Sequence, residues 1–478
     1  MLRVIVALSL LRIVTLIFIF REDVLIALAS KLVPEVHESP KTKQTTFQCS
    51  NKMVYAENYG CAANTFDFEV LLGHMASLNY HPTKDIGSAD IILVNTCGVK
   101  KPTEDRIIGR LRKLSQTRKP LIIAGCLPKI NFKAILKATP NFSAALDPRS
   151  VDKILEAIKC AENGETGRIF FSEKPIAKLE QPKINLKLPI NIIAISEGCA
   201  GVCAFCCVRF ARGTLSSFPK ESVVESLGQA IKNGAKEIWL TSQDTGAYGM
   251  EIKSSLAKLI RECCKVEGKF WIRVGMMNPD HVLPILDELI DDYKDDKVFK
   301  FLHLPVQSGD DDILKQMNRR YSVSDYKTIV QKFRKEFPEL TLSTDVICGF
   351  PGETQEAFKG TLDLVEEVKP DIVNISRFFP RPSTPAERME QVDVEEVKGR
   401  SRVLTSLVKK LAMEKNGKWV GWTGEILVDE KGKGQSWIGR NFAYKPIVIK
   451  DNNGLLGRFM NIRITRALST YLEAETVE

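Results

Sequence analysis

The sequence predicts an α/β protein built as a doubly wound N-terminal domain, a partial (β/α)6 barrel and a small C-terminal antiparallel β-barrel. Three patterns carry this expectation. Apolar runs that each end in a cysteine alternate with helical stretches early in the chain, strand–helix units repeat through its middle, and after residue 418 short strands are separated by Gly, Asn and Asp. A length of 478 residues suits about three domains. The expected divisions are 1–50 (apolar extension and linker), 51–180, 185–415 and 418–478. A hydrophobic content of 44% with 27% charge is that of a folded chain rather than a disordered one.

Within the extension, Val4 to Phe20 is mostly apolar, is broken by Arg12 and is followed by Arg21, Glu22 and Asp23. A spanning helix needs about 20 apolar residues, and a charge at its centre costs about 2.5–3.5 kcal/mol on insertion scales. No small-residue cleavage site follows, so a secretory signal is not expected. A membrane anchor, an amphipathic extension and an upstream start codon that is not the real one are the readings left. The last is adopted, with a cytoplasmic protein and no membrane partner. Twelve cysteines against five histidines fit a reducing compartment and thiolate-bound metal, because soft sulfur ligands suit iron–sulfur chemistry.

In the first domain Met53–Cys61, Asp90–Cys97 and Pro120–Cys126 read as buried strands closed by Cys61, Cys97 and Cys126. Helices are expected between them at Thr65–Leu78 and Glu104–Ser115. Further elements follow at Lys133–Ala138, Asn141–Asp147 and Asp152–Asn163. In a parallel sheet the strand C-termini share one edge, so these cysteines converge on one crevice. A cysteine alone is more often a small buried apolar residue; three in the same register point to a three-thiolate iron–sulfur site. Cys49 and Cys160 lack that context and read as structural.

From Asn191 strand and helix alternate. Strands are expected at Glu237–Thr241, Phe270–Val274, Phe299–Leu304, Leu342–Ile347 and Ile372–Ser376, with helices at Ser222–Asn233, His281–Tyr293, Ser324–Phe337 and Thr354–Val368. About six β/α units fall short of the eight that close a barrel, and the gap suits a macromolecular substrate. Thr241–Gly249, Arg273, Gln307–Gly309 and Asp345 are expected at the barrel mouth, although any single Gly or Asp among them would equally make a turn.

The chemistry concentrates in Gly198-Cys-Ala-Gly-Val-Cys-Ala-Phe-Cys-Cys207, which follows the short strand Asn191–Ile195. Cys199, Cys203 and Cys206 are spaced Cys-x3-Cys-x2-Cys. Three thiolates in one loop hold three irons of a cubane [4Fe–4S] cluster and leave the fourth open to a small molecule. A zinc site would want a fourth ligand; Cys207 supplies one by count only, and no His or Cys pair lies nearby. Adjacent cysteines at 206–207 and 263–264 argue against a disulfide framework.

Cys-x3-Cys-x-Phe-Cys resembles the signature of radical S-adenosylmethionine (SAM) enzymes. The longer run from Gly198 to Gly213 resembles their methylthiotransferase branch in its archaeal and eukaryotic form. The resemblance extends from about residue 52 to the C-terminus. It implies that Cys199, Cys203 and Cys206 bind the SAM-cleaving cluster, with the amino and carboxylate groups of SAM on the open iron and Phe205 near the adenine. It also implies that Thr241–Gly249, Arg273–Pro279, His303–Gly309 and Asp345–Thr354 surround SAM. The expected cofactor contacts are therefore Phe205, Gln243 and Asp345, and no catalytic side chain is assigned. Asn58-Tyr-Gly-Cys61, Asn95-Thr-Cys97 and Ala124-Gly-Cys126 resemble the motifs of a second, auxiliary [4Fe–4S] cluster, whose open iron is implicated in carrying sulfur. Ser242 and Ser383 stand where family members commonly carry Gly, which puts the loop geometry there in question. Cys207 stands where an aliphatic residue is commoner and is expected to be a bystander thiol.

After the charged helix Val394–Asn416, strands are expected at Thr423–Asp429, Gly434–Ile438, Lys445–Ile449, Leu455–Thr465 and Thr470–Ala474. This module resembles a TRAM domain, an RNA-binding unit of the same family. Lys431, Lys433, Arg440, Lys445, Arg458, Arg463 and Arg466 offer phosphate partners, and Trp437, Phe442 and Tyr444 offer stacking surfaces, one or two of them being core instead. The net charge of +9 fits a polyanion without requiring one. The resemblance implies a tRNA methylthiotransferase that modifies C2 of N6-threonylcarbamoyladenosine beside the anticodon. Its partners would be the tRNA anticodon stem-loop, a protein or small-molecule electron donor and an unknown sulfur donor. Isopentenyladenosine or a ribosomal-protein aspartate are alternative substrates; a zinc-containing RNA-binding protein without redox chemistry is the alternative of another class.

Overall fold

The apolar residues of the first domain alternate between two faces of its strands, and helices cover both. The structure, a computed structural model, describes residues 51–451 and 453–477; the apolar extension and Cys49 lie outside these. Strands β1 (Lys52–Asn58), β2 (Tyr80–Thr83), β3 (Ile91–Thr96), β4 (Leu121–Gly125), β5 (Ala144–Leu146) and β6 (Arg168–Phe170) form a parallel sheet in the order β2-β1-β3-β4-β5-β6. Ile91, Leu93, Ile122 and Ala124 pack with Phe66, Leu71, Ile154 and Ile158 on one face. Ile92, Val94 and Ile123 pack with Ile107, Leu111 and Ile135 on the other. Strands β2 and β6 were not expected. Both are sheet edges, and β2 carries Pro82, so neither shows the buried apolar run by which the central strands are recognised. The winding direction changes between β1 and β3, which opens a crevice at their C-terminal ends.

The second unit contains β7 (Ile190–Ala194), a short hairpin of β8 (Ser196–Glu197) and β9 (Ser216–Ser217), then β10 (Glu237–Thr241), β11 (Trp271–Val274), β12 (Phe301–His303), β13 (Thr341–Cys348) and β14 (Ile372–Arg377). Two parallel sheets, β7-β10-β11 and β12-β13-β14, are joined by a parallel bridge between Ile272 and Val298. The ring stays open between β7 and β14, and the first-domain helix Ala62–Ser77 packs against β7. The expected helix His281–Tyr293 divides into Pro279–Val282 and Leu286–Asp292. Pro284, in the 3-10 turn between them, has no N–H to continue the ladder.

The third unit is a closed barrel of β15 (Thr423–Lys431), β16 (Ser436–Arg440), β17 (Pro446–Lys450), β18 (Phe459–Ala467) and β19 (Leu472–Thr476), ordered β15-β16-β17-β19-β18. One seam, β17–β19, is parallel, and the others are antiparallel. A ring with an odd number of strands cannot alternate direction throughout, so a purely antiparallel barrel was unattainable here. The barrel docks on the N-terminal side of β11 and β12. Tyr444 stacks at 4.8 Å on Phe299 and 5.0 Å on Phe301, the amide of Lys300 donates to the carbonyl of Phe442 at 2.7 Å, and Lys445 Nζ donates to Asp371 at 2.7 Å. Among the described residues no helix is long and apolar enough to cross a membrane.

Candidate active site

The loop that carries Cys199, Cys203 and Cys206 is tied at its base before it reaches the cysteines. β8 and β9 pair antiparallel, and the amide of Cys199 donates to the carbonyl of Gly213 at 3.2 Å. Gly198 has φ +75°, and a Cβ there would lie 2.0 Å from the carbonyl oxygen of Thr214, so only glycine fits this closure. Within the loop the amide of Gly201 donates to Cys199 Sγ at 3.3 Å, and the amide of Cys206 donates to the carbonyl of Cys203 at 3.1 Å. Asn318 and Met317 hold it from outside through Val202 and Ala204. Arg319 Nη1 donates to Cys203 Sγ at 3.3 Å.

The other triad is gathered from separate strand ends. Cys61 caps the helix that follows β1, Cys97 follows β3, and Cys126 follows β4. Asn95 clamps these ends: its Nδ2 donates to Asn58 at 3.0 Å and to the Asn64 side chain at 2.9 Å, and the amide of Tyr59 donates to the Asn95 carbonyl at 3.0 Å. Gly125, with φ +97°, lets β4 turn against Thr96, whose carbonyl accepts from the amide of Cys126 at 2.9 Å. Cys61 is exposed, Cys97 half-buried and Cys126 buried.

The segments that carry the two triads touch. Cys207 Sγ reaches the carbonyl of Gly98 at 3.6 Å, and Arg381 Nη2 donates to the same carbonyl at 2.7 Å while pairing with Glu104. Cys126, Ile130, Cys207 and Ala211 form one apolar contact between the first domain and the open barrel. Beneath it lies a fully buried set of charges. Lys178 Nζ donates to Asp67 and Glu197 at 2.7 Å each, and Arg212 donates to Asp67 at 2.5 Å and Glu197 at 3.3 Å. Two acids answer two bases, which is the condition for burying charge at a domain junction. None of these four residues, nor Asn64 or Arg319, was singled out from sequence, because their partners lie far along the chain.

Burial disfavours the thiolate form at thiols of both triads. Burial pushes Cys97 up to about 12 and Cys126 up to about 11, the latter against the pull of Arg212, and burial also pushes Cys199 up to about 11. A bound metal is what would deprotonate such groups. Among the described residues no such group of ligands is gathered for a single ion. A cubane has its irons spread over a body and asks for thiols placed around it.

The expected SAM contacts cluster less uniformly. Phe205 is half-buried with its ring 6.4 Å from Phe350, edge on. Gln243, just past β10, has a buried Oε1 without a hydrogen-bond partner. Asp345 lies inside β13 rather than at its end. It accepts from His303 Nε2 at 3.1 Å and Asn374 Nδ2 at 2.7 Å; burial raises its pKa, but these partners outweigh burial and hold it low. Asp244 accepts from the amides of Gly246 and Asn278 and meets His281 Nδ1 at 2.6 Å. Burial alone would lower the His281 pKa; Asp244 reverses this and raises it.

Several expectations need correction. Arg273 is not at the mouth: its guanidinium lies 4.9 Å from Trp239, 5.1 Å from Phe301 and 5.4 Å from Tyr444, inside the open barrel, because it sits mid-strand and points inward. Tyr444 and Lys445 are consumed in docking, and Arg440 is buried on Asp429 at 3.2 Å, so none is a free RNA contact. Trp437 and Phe442 pack against the small barrel's core. Lys431, Lys433, Arg458, Arg463 and Arg466 remain exposed. Ser242 accepts from the amide of Asp244 at 3.0 Å, an ordinary turn. Ser383 has φ +66°, the conformation for which glycine is the unstrained choice.

Comparison with known proteins agrees with this architecture. Residues 193–365 match the radical SAM superfamily, 53–147 an uncharacterized protein family designated UPF0004, and 417–477 the TRAM domain. A probable threonylcarbamoyladenosine tRNA methylthiotransferase from Pyrococcus horikoshii is 43% identical over 426 residues, covering 89% of this chain and 99% of that protein. The human threonylcarbamoyladenosine tRNA methylthiotransferase is 32% identical, covering 94% of this chain and 77% of that protein. Among solved structures, a radical SAM methyltransferase from Kitasatospora setae, with tryptophan and a SAM analogue bound, shares the fold at TM-score 0.52 and 15% identity over 70% of this chain and 75% of that one. The chain therefore belongs to the radical SAM methylthiotransferase family, in the branch whose archaeal and eukaryotic members are named threonylcarbamoyladenosine tRNA methylthiotransferases.

Proposed function

We propose that this protein replaces the C2 hydrogen of N6-threonylcarbamoyladenosine, next to the anticodon of tRNA, with a methylthio group. The observation that carries the reading is the contact, at Gly98 and Cys207, between the two segments that carry the thiol triads. Cys199, Cys203 and Cys206 are read as ligands of one [4Fe–4S] cluster open to SAM, and Cys61, Cys97 and Cys126 as ligands of a second. Bound there, the clusters supply the electron that splits SAM and the site from which sulfur is delivered. In the overall reaction one SAM leaves as methionine and 5′-deoxyadenosine, which carries away the C2 hydrogen; a second SAM gives the methyl group and leaves as S-adenosylhomocysteine; and the sulfur donor supplies the sulfur.

The chain's own residues orient and enclose. Phe205 supplies an apolar wall, the free Oε1 of Gln243 an acceptor, and Asp345, kept ionised by His303 and Asn374, an anionic acceptor for SAM. The buried set of Asp67, Lys178, Glu197 and Arg212 fixes one triad against the other. The exposed cations of the small barrel suit RNA phosphate and speak against a cationic protein substrate. The naming of the relatives supports the threonylcarbamoyl substrate over the isopentenyl one. A low-potential electron donor and a sulfur donor are required partners, and the cytoplasm, which holds tRNA and keeps thiols reduced, is the compartment that fits.

The test is mass spectrometry of tRNA nucleosides from cells that lack methylthio activity, with and without this gene. Appearance of 2-methylthio-N6-threonylcarbamoyladenosine is expected. The isopentenyl analogue alone would overturn the substrate, and neither product in cells making cluster-loaded protein would overturn tRNA as the target.

A further inference from the structure

Each thiol triad has an arginine beside it, and their surroundings differ. Arg212, beside Cys126, is answered by Asp67 and Glu197, and with Lys178 the set is formally neutral. Arg319 is not paired in this way; Asp244, whose charge acts on Cys199, is engaged instead by His281 Nδ1 at 2.6 Å. Arg319 Nη1 donates to Cys203 Sγ at 3.3 Å, its Nε to Tyr321 Oη at 2.9 Å and its Nη2 to the Pro305 carbonyl at 3.4 Å, and its Cζ lies 4.8 Å from the centroid of the Tyr321 ring. Among the described residues no carboxylate forms an ion pair with it. Tyr321 is itself buried and anchored to the carbonyls of Pro305 and Val306, so the guanidinium is held in place.

We propose that Arg319 is a positioning residue that raises the reduction potential of the site built from Cys199, Cys203 and Cys206, so that an incoming electron settles there rather than at Cys61, Cys97 and Cys126. The inference rests on reading both triads as cluster ligands. One-electron reduction by a low-potential donor adds a negative charge beside three thiolates. A fixed cation hydrogen-bonded to one of those sulfurs stabilises the more negative state, and hydrogen bonds and local charge are established levers on cluster potential. At the other triad the cation's field is cancelled by adjacent carboxylates, so the same lever is weak. Polar contact to a ligating sulfur also fixes its direction, as partners behind a metal ligand do.

The experiment is an anaerobic redox titration of the full-length, cluster-loaded enzyme, followed by electron paramagnetic resonance, for wild type, Arg319→Gln, Arg319→Lys and Tyr321→Phe. Arg319→Gln is expected to shift one cluster's midpoint to lower potential and leave the other unmoved. Arg319→Lys should stay near wild type, and Tyr321→Phe should shift the same cluster by less. An unchanged midpoint in Arg319→Gln, or an equal shift of both clusters, overturns the proposal. An unchanged midpoint with a raised KM for SAM would make Arg319 a SAM-carboxylate contact instead. Should Arg319→Gln lose its iron, the other variants decide: a Tyr321→Phe midpoint equal to wild type overturns the proposal. Cys203→Ala, titrated in parallel, separates the two levels: retention of both signals there would refute the ligand reading and the proposal with it, whereas an unmoved Arg319→Gln midpoint with both clusters bound refutes the role of Arg319 alone.

Discussion

The two cysteine triads are built by opposite constructions. Cys199, Cys203 and Cys206 belong to one loop, closed by the β8–β9 pair and by Gly198, so their mutual placement is a property of a short segment. Cys61, Cys97 and Cys126 come together only when β1, β3 and β4 align in a parallel sheet and Asn95 ties their ends. The charge around them differs in the same sense: at the loop an arginine that forms no ion pair among the described residues, at the strand ends a balanced set of four. A loop site can be preserved by a few local contacts, whereas a strand-end site depends on the integrity of a whole domain and of its junction.

The largest expected effect separates the triads by function. Cys203→Ala should abolish both 5′-deoxyadenosine formation and methylthio product, while Cys97→Ala should lose the product and still cleave SAM. Chromatography of 5′-deoxyadenosine beside nucleoside mass spectrometry reads both, and equal loss of SAM cleavage in the two variants would erase the division of labour.

A smaller effect probes the junction. Asp67→Ala leaves Arg212 and Lys178 facing Glu197 alone, and removing one partner of a buried ion set costs about 3–5 kcal/mol. Denaturant unfolding should show this loss, with Asp67→Asn milder because it keeps an acceptor. A cost near that of a surface pair, about 0–1 kcal/mol, would mean the balanced charges do not hold the strand-end triad in place.

The smallest concerns the residue between the triads. Cys207 is buried against Cys126 and Ala211, and Cys207→Ala removes one sulfur with its weak contact to the Gly98 carbonyl, at a cost of about 1 kcal/mol. Iron content and product should be unchanged. A loss of iron would make Cys207 a ligand and dissolve the contrast between two sets of three.

Much of the fold was legible because it follows local periodicity. Central strands such as Ile91–Thr96 and Leu121–Gly125 are continuous apolar runs, and their cysteines sit at the ends where a parallel sheet presents them. Edge strands β2 and β6 were not legible, since two of the four residues of β2 and two of the three of β6 are exposed. Tyr444, Lys445 and Arg440 resemble RNA contacts by composition, and only the docked barrel turns them into interface and core. Arg273 carries a polar signal that fits a mouth or an interior equally well.

By itself the sequence determined the loop triad, the strand-end cysteines, the β/α alternation and the small terminal barrel, because spacing, turn chemistry and apolar period act over a few residues. Tertiary structure alone decided which charges stand beside which sulfur. Arg319 reaches Cys203 across 116 residues and Arg212 reaches Asp67 across 145, and no local pattern encodes such pairings. They arise where packing removes water, and a charge left there must find its partner from whatever element the fold brings near.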